Sequence, residues 1–155
     1  MSLKERNVRA AEQTAWDDGI PVHYLYTYGV GGEKFFRGIA EKETFLATRC
    51  NACNVTYMPP RIYCEHCMEG LNDFIDVGIA GEVHAFTVCH KDMSGNHLHK
   101  PKVVALVRID KTDGGIIHEL DVSPEKAKVG MKVKAVFKDK AKRTGGITDI
   151  LHFKP

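Results

Sequence analysis

The chain has 155 residues, of which 43% are hydrophobic and 27% charged, and its 22 basic and 20 acidic residues leave a formal net charge of +2. No apolar run approaches the roughly 20 residues of a membrane-spanning helix, so the sequence predicts a soluble protein without a membrane partner. The first sixteen residues carry mixed charges where a secretory signal needs an apolar stretch, which predicts a cytoplasmic location.

Helices are expected only in the N-terminal segment, residues 1–43. The charged, alanine-rich residues 4–17 have the spacing of a short amphipathic helix. A second helix is predicted to start near Gly32, after the aromatic and glycine-rich stretch HYLYTYGVGG. The following segment, ETFLATRC, is interpreted as a strand that leads into the first of two cysteine pairs.

The two CxxC pairs, Cys50/Cys53 and Cys64/Cys67, predict a metal site within a rubredoxin-like zinc ribbon at residues 44–75. Each CxxC turn lets two thiolates converge on one ion, and two turns complete a tetrahedron. Disulfides are not expected in a cytoplasmic chain. Because protein thiolates fill all four positions, the predicted zinc is structural, and His66 is not expected to bind it. Rubredoxin-type iron is the alternative, and its red colour would reveal it.

Residues 76–155 are predicted to form a five-stranded OB-fold barrel, which makes the fold class mainly β. Three strands, a short helix that begins at Ser123, and two further strands follow in the order of an OB-fold. The predicted strands are 81–91, 102–110, 115–122, 131–138 and 146–153. In the fourth strand, Met131, Val133, Ala135 and Phe137 alternate with lysines, which is typical of a barrel strand with a wet outer face.

No catalytic constellation emerges from the sequence, so the protein is not expected to be an enzyme. Cys89 precedes His90, but neighbouring residues on a strand point to opposite faces. We therefore expect Cys89 to be a core residue. His97 and His99 lack a third ligand and are expected in a polar loop.

Four segments resemble one known family, in order and over nearly the whole chain. They are YTYGVGGEKFFRGI (26–39), TRCNACNVTYMPPRIYCEHC (48–67), GEVHAFTV (81–88) and VGMKVKAVF (129–137). The chain is similar to acyl-CoA-associated proteins, catalogued as a domain of unknown function, that join a rubredoxin-like zinc ribbon to a C-terminal OB-fold. The resemblance implies a non-catalytic scaffold that binds acyl-CoA or CoA and accompanies a thiolase-superfamily enzyme. Archaeal relatives resemble a scaffold between acetoacetyl-CoA thiolase and hydroxymethylglutaryl-CoA synthase, and others accompany sterol-degrading aldolases and hydratases.

A CoA site would need cations or a helix N-terminus for the phosphates and an apolar groove for pantetheine. Glycines before the second helix could meet a phosphate, and an arginine fork suits one as well. The alternatives are a plain helix entry and solvated charges beside the zinc site. The candidate CoA-binding residues are Gly31, Gly32, Arg37, Arg49, Tyr57 and Arg61.

An OB-fold that binds single-stranded nucleic acid is the competing function, since such folds combine aromatic and cationic side chains. Residues 126–143 favour it, because they hold eight basic residues and one acidic residue. The barrel, however, has few aromatic residues. Five others are expected in the N-terminal third, away from the barrel, at Tyr24, Tyr26, Tyr28, Phe35 and Phe36. The sequence therefore argues against nucleic acid as a partner.

Overall fold

The computed structural model describes residues 26–92 and 94–155. Along this part of the chain, a helix is followed by a three-stranded sheet and a closed five-stranded barrel. The helix predicted at residues 4–17 lies outside the described residues. No helix in the described part is long and apolar enough to cross a membrane.

Helix α1 spans Gly29–Arg37 and continues into one π-helical turn, Gly38–Lys42. It begins earlier than predicted, because the Thr27 hydroxyl accepts the N–H of Gly29 at 3.1 Å and so satisfies a donor of the first turn. Gly32 therefore lies inside the helix. Phe35 and Ile39 are buried on its inner face.

The zinc-ribbon sheet has three antiparallel strands, in the order β2-β1-β3. They are β1 (Phe45–Cys50), β2 (Val55–Tyr57) and β3 (Phe74–Gly78). The sequence analysis predicted β1 but not β3, which returns to pair with β1 after the second cysteine pair. The position proposed for the boundary between ribbon and barrel, after residue 75, falls within β3.

The barrel closes in the order β4-β5-β6-β8-β7, which confirms the predicted five-stranded OB-fold. Its strands are β4 (Ala80–Lys91), β5 (His97–Ile109), β6 (Gly115–Leu120), β7 (Lys132–Phe137) and β8 (Ile150–Lys154). All neighbours are antiparallel except β6 and β8, which close the barrel in parallel at Leu120 and Phe153.

Two local predictions in the barrel need correction. The short helix is a single 3-10 turn, Pro124–Lys126, and the side chain of Ser123 makes no capping hydrogen bond. The last strand begins at Ile150 instead of residue 146, because Ile147–Asp149 forms another 3-10 turn. In that turn the buried Asp149 carboxylate accepts N–H groups of residues 144–146, which holds it against the preceding loop.

Strands β4 and β5 run on together as a hairpin, and this changes two predictions. His97 and His99 lie in β5 instead of a loop, because His97 pairs with Lys91 across the hairpin. Cys89 is partly exposed and is not a core residue, although its neighbour Val88 packs against the core. At Cys89 the two strands of the hairpin pair only with each other and no longer with β6 or β7.

One hydrophobic core joins the helix, the ribbon sheet and the barrel. The fully buried ring of Phe45 lies 6.0 Å from that of Phe35, 5.8 Å from that of Phe137 and 6.3 Å from that of Phe153, centroid to centroid. The prediction that the N-terminal aromatic residues lie away from the barrel is therefore wrong for Phe35. A smaller buried cluster surrounds the cysteine pairs and includes Tyr57 and Leu71.

The turn between β5 and β6 fixes the ribbon against the barrel. The N–H of Thr56 donates to Asp113 Oδ2 at 2.8 Å, and the N–H of Asp113 donates to the Thr56 carbonyl at 2.9 Å. Gly114 lies so close to β2 that a Cβ atom there would be 1.8 Å from the Met58 carbonyl oxygen. The strand that follows the first cysteine pair is thus held by backbone contact with the barrel.

Candidate functional site

The four paired cysteines converge at one end of the ribbon sheet, as the sequence predicted. Cys50 ends β1 and Cys53 lies in the turn to β2, whereas Cys64 and Cys67 come from the loop between β2 and β3. Their sulfur atoms all lie within 4.8 Å of one another, and Cys50 Sγ is 3.6 Å from Cys67 Sγ. Zn–S bonds of about 2.3 Å at tetrahedral angles place sulfurs about 3.8 Å apart, so this donor set fits zinc.

Hydrogen bonds to sulfur support the thiolate form of the site. The N–H of Cys53 donates to Cys50 Sγ, and the N–H of His66 donates to Cys64 Sγ, both at 3.4 Å. The Tyr57 hydroxyl accepts the N–H of Glu65 at 3.3 Å and lies 3.3 Å from Cys64 Sγ. A thiolate at Cys64 has no proton to donate, so in that form of the site the Tyr57 hydroxyl donates to the sulfur.

The Tyr57 hydroxyl is the main cause of an altered pKa at the metal centre. Its hydrogen bond lowers the pKa of the Cys64 thiol to about 6 and, in return, raises the pKa of Tyr57 to about 12. A hydrogen bond to the neighbouring Cys67 sulfur, together with burial, raises the pKa of Cys53 to about 12, because both favour the protonated thiol. A bound cation would favour the thiolate instead. The sequence analysis missed this role of Tyr57.

The site is built to hold a metal and not to react with a substrate. Four thiolates complete a zinc tetrahedron, which leaves no position for water. Among the described residues, these cysteines form the group of metal-binding side chains that is close enough to share one ion. Zinc bound here would stabilise the loops on both sides of β2.

Two of the predicted CoA-binding residues meet beside the metal centre. The Arg61 guanidinium lies over the Tyr57 ring, 5.1 Å from its centroid, and forms an ion pair with Glu65. The Thr48 hydroxyl holds the Arg61 backbone, since it accepts the N–H at 3.0 Å and donates to the carbonyl at 2.8 Å. A shallow cleft here is lined by Tyr57, Met58, Pro59, Arg61, Glu65 and Gly114.

The other predicted CoA-binding residues are dispersed. Gly31 is buried, and a Cβ atom there would lie 2.7 Å from the Pro60 carbonyl oxygen, so this glycine lets α1 approach the backbone that follows β2. Gly32 packs on Tyr28. Arg37 lies on the outer side of α1 in ion pairs with Glu33 and Glu41, and the Glu33 hydrogen bond raises its pKa.

Arg49 donates to Asn54 Oδ1 at 2.6 Å and does not line the cleft beside Arg61. The structure thus brings together Tyr57 and Arg61, with Gly31 behind the adjoining Pro60, but it does not assemble all six residues in one cleft. CoA binding by these residues stays a prediction.

The basic segment 126–143 does not form one continuous cationic stripe. Lys132 Nζ lies 2.9 Å from Glu82 and 3.7 Å from Asp110, and its pKa is raised by the hydrogen bond to Glu82. The Arg143 side chain is 4% exposed and donates to the carbonyl oxygens of Lys138 and Ala40. The alternation in β7 is confirmed, because Val133 and Ala135 are buried. Lys132 and Arg143 therefore make contacts within the protein, so part of the positive charge of this segment is not available to a ligand.

Comparisons with protein families find two models in tandem. A model described as the ChsH2 rubredoxin-like zinc ribbon domain matches residues 37–72. A model described as the ChsH2 C-terminal OB-fold domain matches residues 75–138. The two matches follow the ribbon and the barrel and together cover more than half of the chain.

Curated relatives and solved structures agree with this match. A DUF35 domain-containing scaffold protein of Methanocaldococcus jannaschii is 28% identical over 105 residues, which is 66% of this chain and 74% of that protein. A protein of the same description in Methanothermobacter thermautotrophicus is 24% identical over 104 residues, covering 66% and 78%. A DUF35-family structure of unknown function from Sulfolobus solfataricus has a TM-score of 0.64 at 26% identity, over 81% of this chain and 85% of that one. An Ltp2-ChsH2(DUF35) aldolase structure has a TM-score of 0.57 at 25% identity, over 79% and 93%.

Proposed function

We propose, because this chain belongs to the family that joins a ChsH2-type rubredoxin-like zinc ribbon to a C-terminal OB-fold, that it is a non-catalytic scaffold for an enzyme acting on CoA thioesters. Two archaeal relatives are described as scaffold proteins, and one similar structure is that of an Ltp2-ChsH2(DUF35) aldolase. The partner proposed here is an enzyme of the thiolase superfamily.

The closed tetrathiolate site is the observation that carries this proposal. It stabilises the ribbon without an open coordination position, so the ribbon provides a rigid surface and no Lewis acid. The shared core and the Asp113–Thr56 contacts then fix that surface relative to the barrel. A rigid two-part body of this kind suits a subunit that positions other molecules.

The proposal extends to CoA binding at the cleft beside Tyr57 and Arg61. The backbone of Arg61 is fixed by Thr48, whereas its side chain is half exposed and can reach solvent. A phosphate would compete with Glu65 for the guanidinium, which forms stronger bonds with a doubly charged anion. Pro59 and Met58 offer apolar contacts next to it.

Calorimetric titration of CoA into purified variants tests this part of the proposal. Arg61→Ala should weaken binding by about one to two decades, since a charge-assisted hydrogen bond is lost. Lys134→Ala removes an exposed cation from β7 and should change the affinity by less than about twofold. Equal losses for both variants would place the anion site on the barrel instead.

Affinity purification tests the scaffold role. A tagged chain isolated from native lysate should retain a thiolase-type enzyme at a fixed stoichiometry, and the isolated chain should not turn over acetoacetyl-CoA. Saturable turnover by the chain itself would contradict a scaffold function. Binding of an oligothymidylate in preference to CoA would favour the nucleic-acid alternative.

A further inference from the structure

The hairpin of β4 and β5 extends well beyond the strands that flank it. These strands have 12 and 13 residues, whereas β6 and β7 have six each. Strand β5 pairs with β6 only over residues 103–108, and β4 pairs with β7 only over residues 80–82. We call the extension, residues 89–92 and 94–102, the arm. Two-stranded ribbons are marginally stable in water, so further contacts would stabilise the arm.

Next to the arm, the sheet of β4, β5 and β6 presents an aliphatic outer face. Pairing places Ala85 opposite Leu106 and Leu106 opposite Ile117, with Thr87 opposite Val104 in the next row. The alternate residues of β5, including Val103, Ala105 and Val107, are buried in the core. We call Ala85, Thr87, Val104, Leu106 and Ile117 the outer face.

Ile117, at the centre of the β6 part of this outer face, is 69% exposed. An aliphatic side chain in water loses the favourable free energy of burial. The patch combines an exposed aliphatic centre with charged residues around it, which is the anatomy of a protein interface.

Charged groups border the outer face on the side of the arm. Lys102 Nζ pairs with Glu119 Oε2 at 2.8 Å. Lys91 and Lys100 are exposed on the arm and form no ion pair with any described carboxylate. Asp92 accepts N–H groups of the hairpin turn, which lower its pKa, so its carboxylate serves the turn. The ammonium groups of Lys91 and Lys100 are therefore available to form ion pairs with carboxylates of another molecule.

We propose that the outer face and the arm form the docking surface for the partner enzyme, which presents an aliphatic patch bordered by carboxylates. This inference rests on the scaffold function proposed above. The aliphatic centre would supply buried area, and Lys91 and Lys100 would supply charge complementarity and orientation.

A nucleic acid and a second copy of the chain fit this surface less well. OB-folds bind oligonucleotides on the equivalent strands, where bases stack on aromatic side chains, and the outer face has none. Phe86 lies opposite Ala105 and so faces the other side of the sheet. A second copy that docked by the same surface would bring the same cations, and Glu119, the carboxylate beside the outer face, already pairs with Lys102.

Binding of purified variants to the purified partner tests this surface. The partner is the thiolase-type enzyme that the tagged wild-type chain retains from lysate, and affinities are measured by calorimetry. Ile117→Glu should weaken binding by roughly tenfold or more, because the most exposed large aliphatic contact of the outer face becomes a buried charge. Lys91→Glu with Lys100→Glu should slow association and reduce its dependence on salt.

Val129→Glu is the matched control, because Val129 is 64% exposed but lies outside the outer face, before β7. It should bind within about twofold of wild type. Far-ultraviolet circular dichroism and thermal melting verify that each variant is folded.

The outcomes separate the docking surface from the scaffold function. If wild type binds the enzyme and Ile117→Glu binds equally well, the docking surface is wrong and the scaffold proposal stands. If wild type retains no enzyme, the scaffold proposal fails, and the docking surface fails with it. Self-association that disappears in Ile117→Glu, or oligothymidylate binding that depends on Lys91 and Lys100, would assign the surface to those occupants and overturn the inference.

Discussion

Gly114→Ala tests the contact that fixes the ribbon to the barrel. The new Cβ atom would lie 1.8 Å from the Met58 carbonyl oxygen and 2.8 Å from its carbonyl carbon. Both are backbone atoms, so no side chain can rotate to make room. The turn between β5 and β6 must withdraw from β2, which breaks the two hydrogen bonds between Asp113 and Thr56.

The size of the effect follows from those two hydrogen bonds. One joins backbone groups and contributes about 0.5–1.5 kcal/mol, and the other has a carboxylate acceptor and contributes about 1.5–3 kcal/mol. Gly114→Ala should therefore lower the free energy of unfolding by about 2–4.5 kcal/mol. Urea denaturation followed by circular dichroism measures this value.

Gly70→Ala provides the matched control in the same ribbon. A Cβ atom at Gly70 would meet nothing within 4 Å, and the backbone there does not have a positive φ. Its free energy of unfolding should stay within about 1 kcal/mol of wild type. If Gly114→Ala proves as stable as Gly70→Ala, the close docking of the ribbon on the barrel is wrong.

Three further predictions concern the metal centre and the core. Elemental analysis should find one zinc per chain in colourless protein, and stoichiometric iron with a visible absorption band would contradict the zinc assignment. Tyr57→Phe should weaken zinc binding by about tenfold in a chelator competition while leaving CoA affinity unchanged, because the hydroxyl and its hydrogen bonds to Cys64 and Glu65 are lost but the ring beneath Arg61 is kept. A selective loss of CoA affinity would reverse these roles. Asp149 is buried, and although burial alone would raise its pKa, N–H donors of the loop at 144–146 lower it overall. The contribution of this carboxylate to stability is thus complete above about pH 3.8, its ordinary pKa, and is lost as the pH falls through the lower folded pKa. Asp149→Asn should therefore lower the free energy of unfolding by about 1–2 kcal/mol at pH 7, and its stability should fall less than that of wild type as the solution is acidified. An equal fall for both proteins would contradict this account.

The sequence predicts the features of this protein that depend on local patterns. The metal site follows from CxxC spacing alone, because each turn brings two sulfurs together. Strand β7 follows from the alternation of Val133 and Ala135 with lysines. The order of the barrel strands follows from the same pattern and from turn residues.

Features that depend on distant contacts were missed. The proximity of Phe35 to the barrel arises from Phe45, and neither residue has a local signal for it. The length of the β4–β5 hairpin, which places Cys89 outside the core, is set by how far two strands pair beyond their neighbours. Gly114 resembles any turn glycine until the backbone of Met58 is seen beside it.

Tyr57 shows why the candidate site was only partly predicted. Its sequence position beside Arg61 suggested a ligand cleft, and the structure does place the two together. Only the folded loop reveals that the hydroxyl is bound between Cys64 and Glu65, where it supports the metal centre.

Native mass spectrometry of the tagged chain, purified from its own lysate, tests the scaffold function most directly. The account predicts an assembly of defined mass that contains a thiolase-type enzyme together with this chain and one zinc per copy of it. A chain that emerges alone, from wild-type lysate in which such an enzyme is present, would contradict the proposed function.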